Sequence, residues 1–165
     1  MITLITELLA VAILVLLLII YITDTTNSDT ISFTTINKNA ETPTRATEGS
    51  AGYDFYLPET IVIDPGESVL VDTGVTAQFS KNYVLMLYMR SSIGIKHKIM
   101  LANGTGVIDS DYKDTIKLPL YNYNTRPVVL HQGDRIAQCV CTPYLTGTDK
   151  PIKKHRRGGL GSTGR

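Results

Sequence analysis

The 165-residue chain has no tryptophan, two cysteines and three phenylalanines. It also lacks a charge of one sign: 16 Lys and Arg against 15 Asp and Glu leave a net charge of +1. No global field therefore draws it to nucleic acid or anionic lipid. The two thiols, Cys139 and Cys141, stand at i, i+2 on one strand face, which is neither a metal nor a redox spacing. Two buried free thiols are expected, and they fit a reducing compartment. No cluster of His, Cys and carboxylates with metal-ligand spacing occurs. After residue 30 no stretch keeps a 3.6-residue apolar period, which excludes an amphipathic helical domain.

What the chain does have begins at its N-terminus. Residues 8–23, LLAVAILVLLLIIYIT, carry no charge between Glu7 and Asp24. Counted from Ile2, the apolar stretch 2–23 reaches the roughly 20 residues a bilayer span requires. Three readings compete. A membrane anchor fits the length and apolarity. A cleaved signal peptide lacks a preceding Lys or Arg and a following A-x-A site. A buried core helix or a mis-assigned start accounts for the same residues differently. The first basic residue is Lys38, so charge gives no orientation. The run DTTNSDT (24–30) reads as a linker. The expected division is 1–30 anchor and linker, 31–150 a β domain, and 151–165 a tail.

From Ile31 onward, short β-branched and aromatic runs alternate with turn residues. ISFTTI, TIVIDPG, SVLVDTGV, YVLMLYMR, TIKLPLYNY and RIAQCVCTPY read as strands, and DPGE, NGTG and HQGD as turns. The spacing predicts an all-β sandwich or jelly roll.

Five polar clusters interrupt these strands. SAGYDFY (50–56) sets Asp54 before a strand, where an aspartate alone is a turn residue. RSSIGIKHK (90–98) puts Arg90, a planar permanent cation, before the hydroxyls of Ser91 and Ser92, a set suited to a phosphate. In ANGTGVIDSDYKD (102–114), Asn-Gly signals a hairpin. Asn103 carries the donor and acceptor that read a uracil edge. Asp109 follows an apolar Val-Ile pair, beside which a carboxylate can act as general base. Tyr112 offers a flat ring. GDRIAQCV (133–140) holds Gln138 and an Asp134–Arg135 pair that reads as a structural ion pair. RGGLGSTG (157–164) combines glycines, which let backbone N–H groups approach an anion, with the hydroxyls of Ser162 and Thr163. It is not a Walker A loop, having no Lys after the last glycine.

In this order and spacing, AGYDFY, RSSIG, GVIDSDYK, GDRIAQ and GGLGSTG resemble the five motifs of the trimeric dUTP pyrophosphatase (dUTPase) family, over residues 31–165. The resemblance implies a distorted jelly-roll β-barrel and a homotrimer with intersubunit active sites. It implies Mg²⁺-dependent hydrolysis of dUTP to dUMP and pyrophosphate, the ion being held by phosphates and waters. Asp109 would activate the attacking water. Asn103 would read uracil with nearby backbone, Gly106 and Val107 among it, and Tyr112 would pack under the deoxyribose. Arg90, Ser91, Ser92 and Gln138 would contact phosphates, and Asp54 would hold a metal-bound water. Arg157, Leu160, Gly161, Ser162 and Thr163 would close over the triphosphate. Such an enzyme limits uracil incorporation into DNA and supplies dUMP for dTMP synthesis.

The sequence departs from that pattern at Leu160, where many members carry a stacking Phe, at Asp114 in place of Gly, and at Gly94 in place of Ala. A dCTP deaminase of the same fold would need a Glu base, and no glutamate follows Glu67. The alternative reading is a non-catalytic, membrane-tethered binding module on the same scaffold. KKHRR (153–157) is too small a patch to imply nucleic acid, and phosphate clamping uses the same charges. The expected location is a membrane held through the N-terminus, with the β domain in the cytoplasm or nucleus, or a soluble protein if residues 1–30 are removed.

Overall fold

Among the described residues, β-branched residues and short alternating runs give eleven strands from Ser32 onward, and the apolar N-terminal run gives one α-helix. These are seen in a computed structural model that describes residues 2–26, 30–147 and 158. The chain divides into two units, 1–30 and 31–165, each considered by itself.

The first unit is α1, Ile2–Thr26. Its side chains are described over residues 6–19, all exposed. Among the described residues no helix is long and apolar enough to cross a membrane. The anchor expected over residues 2–23 is therefore unsupported.

In the second unit the strands are β1 Ser32–Thr35, β2 Tyr53–Tyr56, β3 Ile61–Ile63, β4 Ser68–Asp72, β5 Val75–Gln78, β6 Tyr83–Met89, β7 Ile99–Leu101, β8 Gly106–Ile108, β9 Lys117–Asn122, β10 Val128–Leu130 and β11 Arg135–Pro143. All pairings are antiparallel, in the orders β2-β11-β6-β8, β4-β9-β7, β1-β5 and β10-β3. The mostly-β expectation holds. The closed barrel does not appear, because the described strands form four separate sheets. Proline contributes to this: Pro58, Pro65 and Pro127 flank β3 and β10, where a missing N–H cannot extend a ladder.

Alternation builds the core. Along β9 the even positions Leu118, Leu120 and Asn122 are buried, and the odd positions are half-buried. They meet Phe55, Leu57, Leu85, Leu87, Ile99, Leu101, Ile116 and Ile136, all nearly inaccessible. Asn122 is tolerated there because its polar atoms are satisfied. Nδ2 donates to the Ile63 and Arg126 carbonyls at 2.8 and 2.9 Å, and Oδ1 accepts from Asn124 N–H at 2.8 Å.

Two local expectations change. SVLVDTGV is two strands, because Gly74 takes φ of +66°, which stops β4 and redirects the chain into β5. The Asn103-Gly104 turn does not close a hairpin: β7 pairs with β9, and β8 with β6. The turn is real, with Gly104 N–H donating to the Leu101 carbonyl at 2.8 Å. It carries the chain from one sheet to another. Cys139 and Cys141 are both free, the first buried and the second half-buried. Burial pushes the Cys139 thiol up to about 12.

Candidate active site

β2, β6 and β11 lie side by side and bring three of the clusters together. Gln138 is opposite Asp54 on one side and Tyr88 on the other. Arg90 follows the last residue of β6, and its backbone N–H donates to the Ile136 carbonyl. Asp54, buried, receives two guanidinium groups: Arg90 Nε at 2.9 Å from Oδ1 and Arg135 Nη1 at 3.2 Å from Oδ2. The Asp134–Arg135 ion pair is therefore not formed. Asp134 Oδ2 instead accepts the His131 backbone N–H at 2.7 Å and closes the HQGD turn. Arg90, Ser92, Tyr56, His97 and Arg135 line a cavity of about 410 Å³.

Past β6 the chain tightens. Ile93 and Gly94 N–H both donate to the Arg90 carbonyl, and a π-helical turn runs over Ile93–His97. Lys98 ends it in the left-handed region, at φ 55° and ψ 45°. Tyr123 hydroxyl braces the turn by donating to the Gly94 carbonyl at 2.6 Å. Such turns concentrate at functional sites. This one places Ser92 and His97 beside Arg90.

The third cluster lies elsewhere. Asp109 is exposed just past β8, and its carbonyl accepts from Tyr112 N–H at 3.0 Å. Of the apolar pair before it, Ile108 is half-buried against the core. Val107 is exposed, and Asp109 lines a cavity of about 530 Å³ with Lys81, Asn82, Asp111 and Tyr144. Asn103 is exposed and Gly106 is buried against Leu87. Tyr112 packs into the core, its hydroxyl donating to the Thr115 carbonyl at 2.8 Å.

The register measures how far apart the two groups are. Ile108 faces Leu85, so Asp109 stands level with Val84, six residues before Arg90 on the β6 path. At 3.3–3.4 Å per residue that is roughly 20 Å. Asp109 and Arg90 line different cavities. Arg157, Leu160, Gly161, Ser162 and Thr163 lie outside the described residues.

Among the described residues no group of three His, Cys, Asp or Glu side chains could hold a metal ion. Both carboxylate oxygens of Asp54 face guanidinium groups, Arg90 at Oδ1 and Arg135 at Oδ2. Sequence reading gave Arg135 to Asp134 and did not single out His97 or Tyr56. Only the pairing of β2 with β11 brings Arg135 to Asp54, and nothing local announces it.

Comparison with known proteins gives one answer. The dUTPase family model matches residues 38–164. The chain is 38% identical over 136 residues to the deoxyuridine 5'-triphosphate nucleotidohydrolase of Lactococcus lactis subsp. lactis, covering 78% of this chain and 91% of that one. The Neisseria meningitidis serogroup B protein of the same name is 40% identical over 130 residues, covering 74% and 87%. The dUTPase crystal structure from Streptococcus mutans superposes with a TM-score of 0.65 at 34% identity, covering 72% of this chain and 98% of that one.

Proposed function

The chain belongs to the dUTPase family, and from that premise we propose how its residues divide the work. The activity is hydrolysis of dUTP to dUMP and pyrophosphate. The observation that carries it is the family match across nearly all of the β unit. Nothing supports the non-catalytic membrane module.

Asp109 orients and activates the water that attacks the α-phosphorus. Asn103 reads the uracil edge together with the backbone of the Leu101–Gly104 turn, Gly106 and Val107. Tyr112, held by its hydrogen bond to Thr115, packs under the deoxyribose with its remaining accessible face. Arg90, Ser91, Ser92 and Gln138 hold the phosphates, and Arg157 with residues 160–163 closes over them. Groups acting on one phosphate chain must each lie within hydrogen-bond reach of it, about 3 Å. On one chain Asp109 and Arg90 line different cavities, roughly 20 Å apart along the path of β6. That separation supports a homotrimer in which each site takes Asp109 from one copy and Arg90 from another. It also suits a jelly-roll barrel completed by association. The family is generally Mg²⁺-dependent. The ion, carried by the triphosphate, would offset phosphate charge without a ligand set of the protein's own.

Pyrophosphate release from dUTP by the full chain tests the reading. The unsubstituted protein should turn over, and Asp109→Asn should lose at least ~100-fold in kcat. An inactive parent, or an Asn variant of equal rate, rejects the assignment.

A further inference from the structure

Arg90 leaves β6 with its guanidinium held on two sides. Nε lies 2.9 Å from Asp54 Oδ1, and Nη1 donates to the main-chain carbonyl of Arg135 at 3.3 Å. The carboxylate is held in turn from its far side, with Arg135 Nη1 3.2 Å from Oδ2. Exposure grades outward through the three side chains: 6% for Asp54, 25% for Arg90 and 44% for Arg135.

This order has two physical consequences. A carboxylate's terminal torsion is broad, so one partner alone does not fix its plane. A second guanidinium on the other oxygen fixes it, and so decides which edge of Arg90 is turned inward. A guanidinium has five N–H donors, and two of Arg90's are directed into the protein. The others remain for the cavity that Ser92 and His97 share. The second consequence is charge. Asp54 alone would cancel Arg90, leaving a neutral pair beside an incoming anion. Arg135 restores a net positive charge to these three side chains; Asp134, which also lines the cavity, has its Oδ2 engaged by the His131 backbone N–H.

We propose that Arg135 is a positioning residue: through Asp54 it fixes the edge of Arg90 that receives the dUTP phosphates and keeps that edge cationic. The proposal rests on the reading of Arg90 as a phosphate ligand. Arg135 itself need not touch the nucleotide.

The test is steady-state dUTP hydrolysis by the full chain carrying R90Q, R135Q, R135K or R90Q with R135Q, each with a melting curve. R90Q should lower kcat/KM by about 100-fold and R135Q by about 10-fold, as expected for charge-assisted hydrogen bonds. R135K, which keeps a cation on Asp54, should recover most of the R135Q loss. The double variant should be no worse than R90Q, because Arg135 acts only through Arg90. R135Q should melt within a few degrees of the parent, its side chain being largely exposed. An unchanged kcat/KM in R135Q, a loss that multiplies with that of R90Q, or a Lys variant no better than Gln would overturn the proposal and leave the site reading standing. A harmless R90Q would overturn both, and is distinguishable because it strikes Arg90 itself.

Discussion

Gln138 lies directly over Gly52: a Cβ added to Gly52 would meet Gln138 Oε1 at 2.7 Å and Gln138 Cβ at 3.4 Å. The nearer atom is the free end of a flexible side chain, so a substitution moves the amide before it moves the backbone. Gly52→Ala should therefore raise KM for dUTP several-fold with little change in melting temperature. A large drop in melting temperature with unchanged KM would contradict this.

Gly106 presents the opposite case. Its Cβ would meet Leu87 Cδ1 at 2.9 Å and Leu87 Cβ at 3.0 Å, and Leu87 is fully packed. The second atom is tied to the backbone and cannot swing away. Gly106→Ala should cost about 1–3 kcal/mol in urea unfolding, the range for an overpacked core. A cost below ~0.5 kcal/mol would show that β8 gives way easily.

Asn122 ties the Ile63–Glu67 turn to the 122–126 segment from inside the core. Asn122→Ala would strand the Ile63 and Arg126 carbonyls and the Asn124 N–H. The expected loss is about 2–4 kcal/mol, since buried unsatisfied groups carry their full desolvation penalty. Asn122→Leu should not restore it. Equal stability of the Leu variant and the parent would refute the account.

Asp72 gives a pH signature. Burial pushes its carboxyl up, but hydrogen bonds from Lys117, Gly74 and Thr115 outweigh that and hold it below its ordinary value of 3.8. Lys117 is pushed up from 10.5, chiefly by its hydrogen bond to Asp72. A lowered carboxylate stabilises the fold above its unfolded pKa, and the contribution fades as pH falls through the folded one. Asp72 is half-exposed, so solvent screening holds the pair to about 1 kcal/mol. Unfolding of Asp72→Asn against the parent should differ by that amount at pH 7 and converge below pH 4. A gap that does not change with pH would exclude the ion pair as its source.

How much could be read from the sequence depended on range. YVLMLYMR and RIAQCVCTPY are long enough for period-2 alternation to be visible, and both are strands. Strands β7, β8 and β10 have three residues each, too few to display a period. The Asn103-Gly104 turn was legible because turn preference is local. Its partners were not, because pairing is decided by the packing of the whole sheet. The roles proposed for Arg90, Asn103 and Asp109 rest on residue type and order. The separation of Asp109 from Arg90 on one chain emerged only from the register of β6 and β8.

The Asp54–Arg135 contact joins residues 81 positions apart. Closing so long a loop must precede any reward from it, which makes the contact a late event in folding. Turns such as Leu101–Gly104 need no such closure. During refolding, the Leu101–Gly104 turn should therefore take shape ahead of the Asp54–Arg90–Arg135 group, and recovery of turnover should trail recovery of β structure.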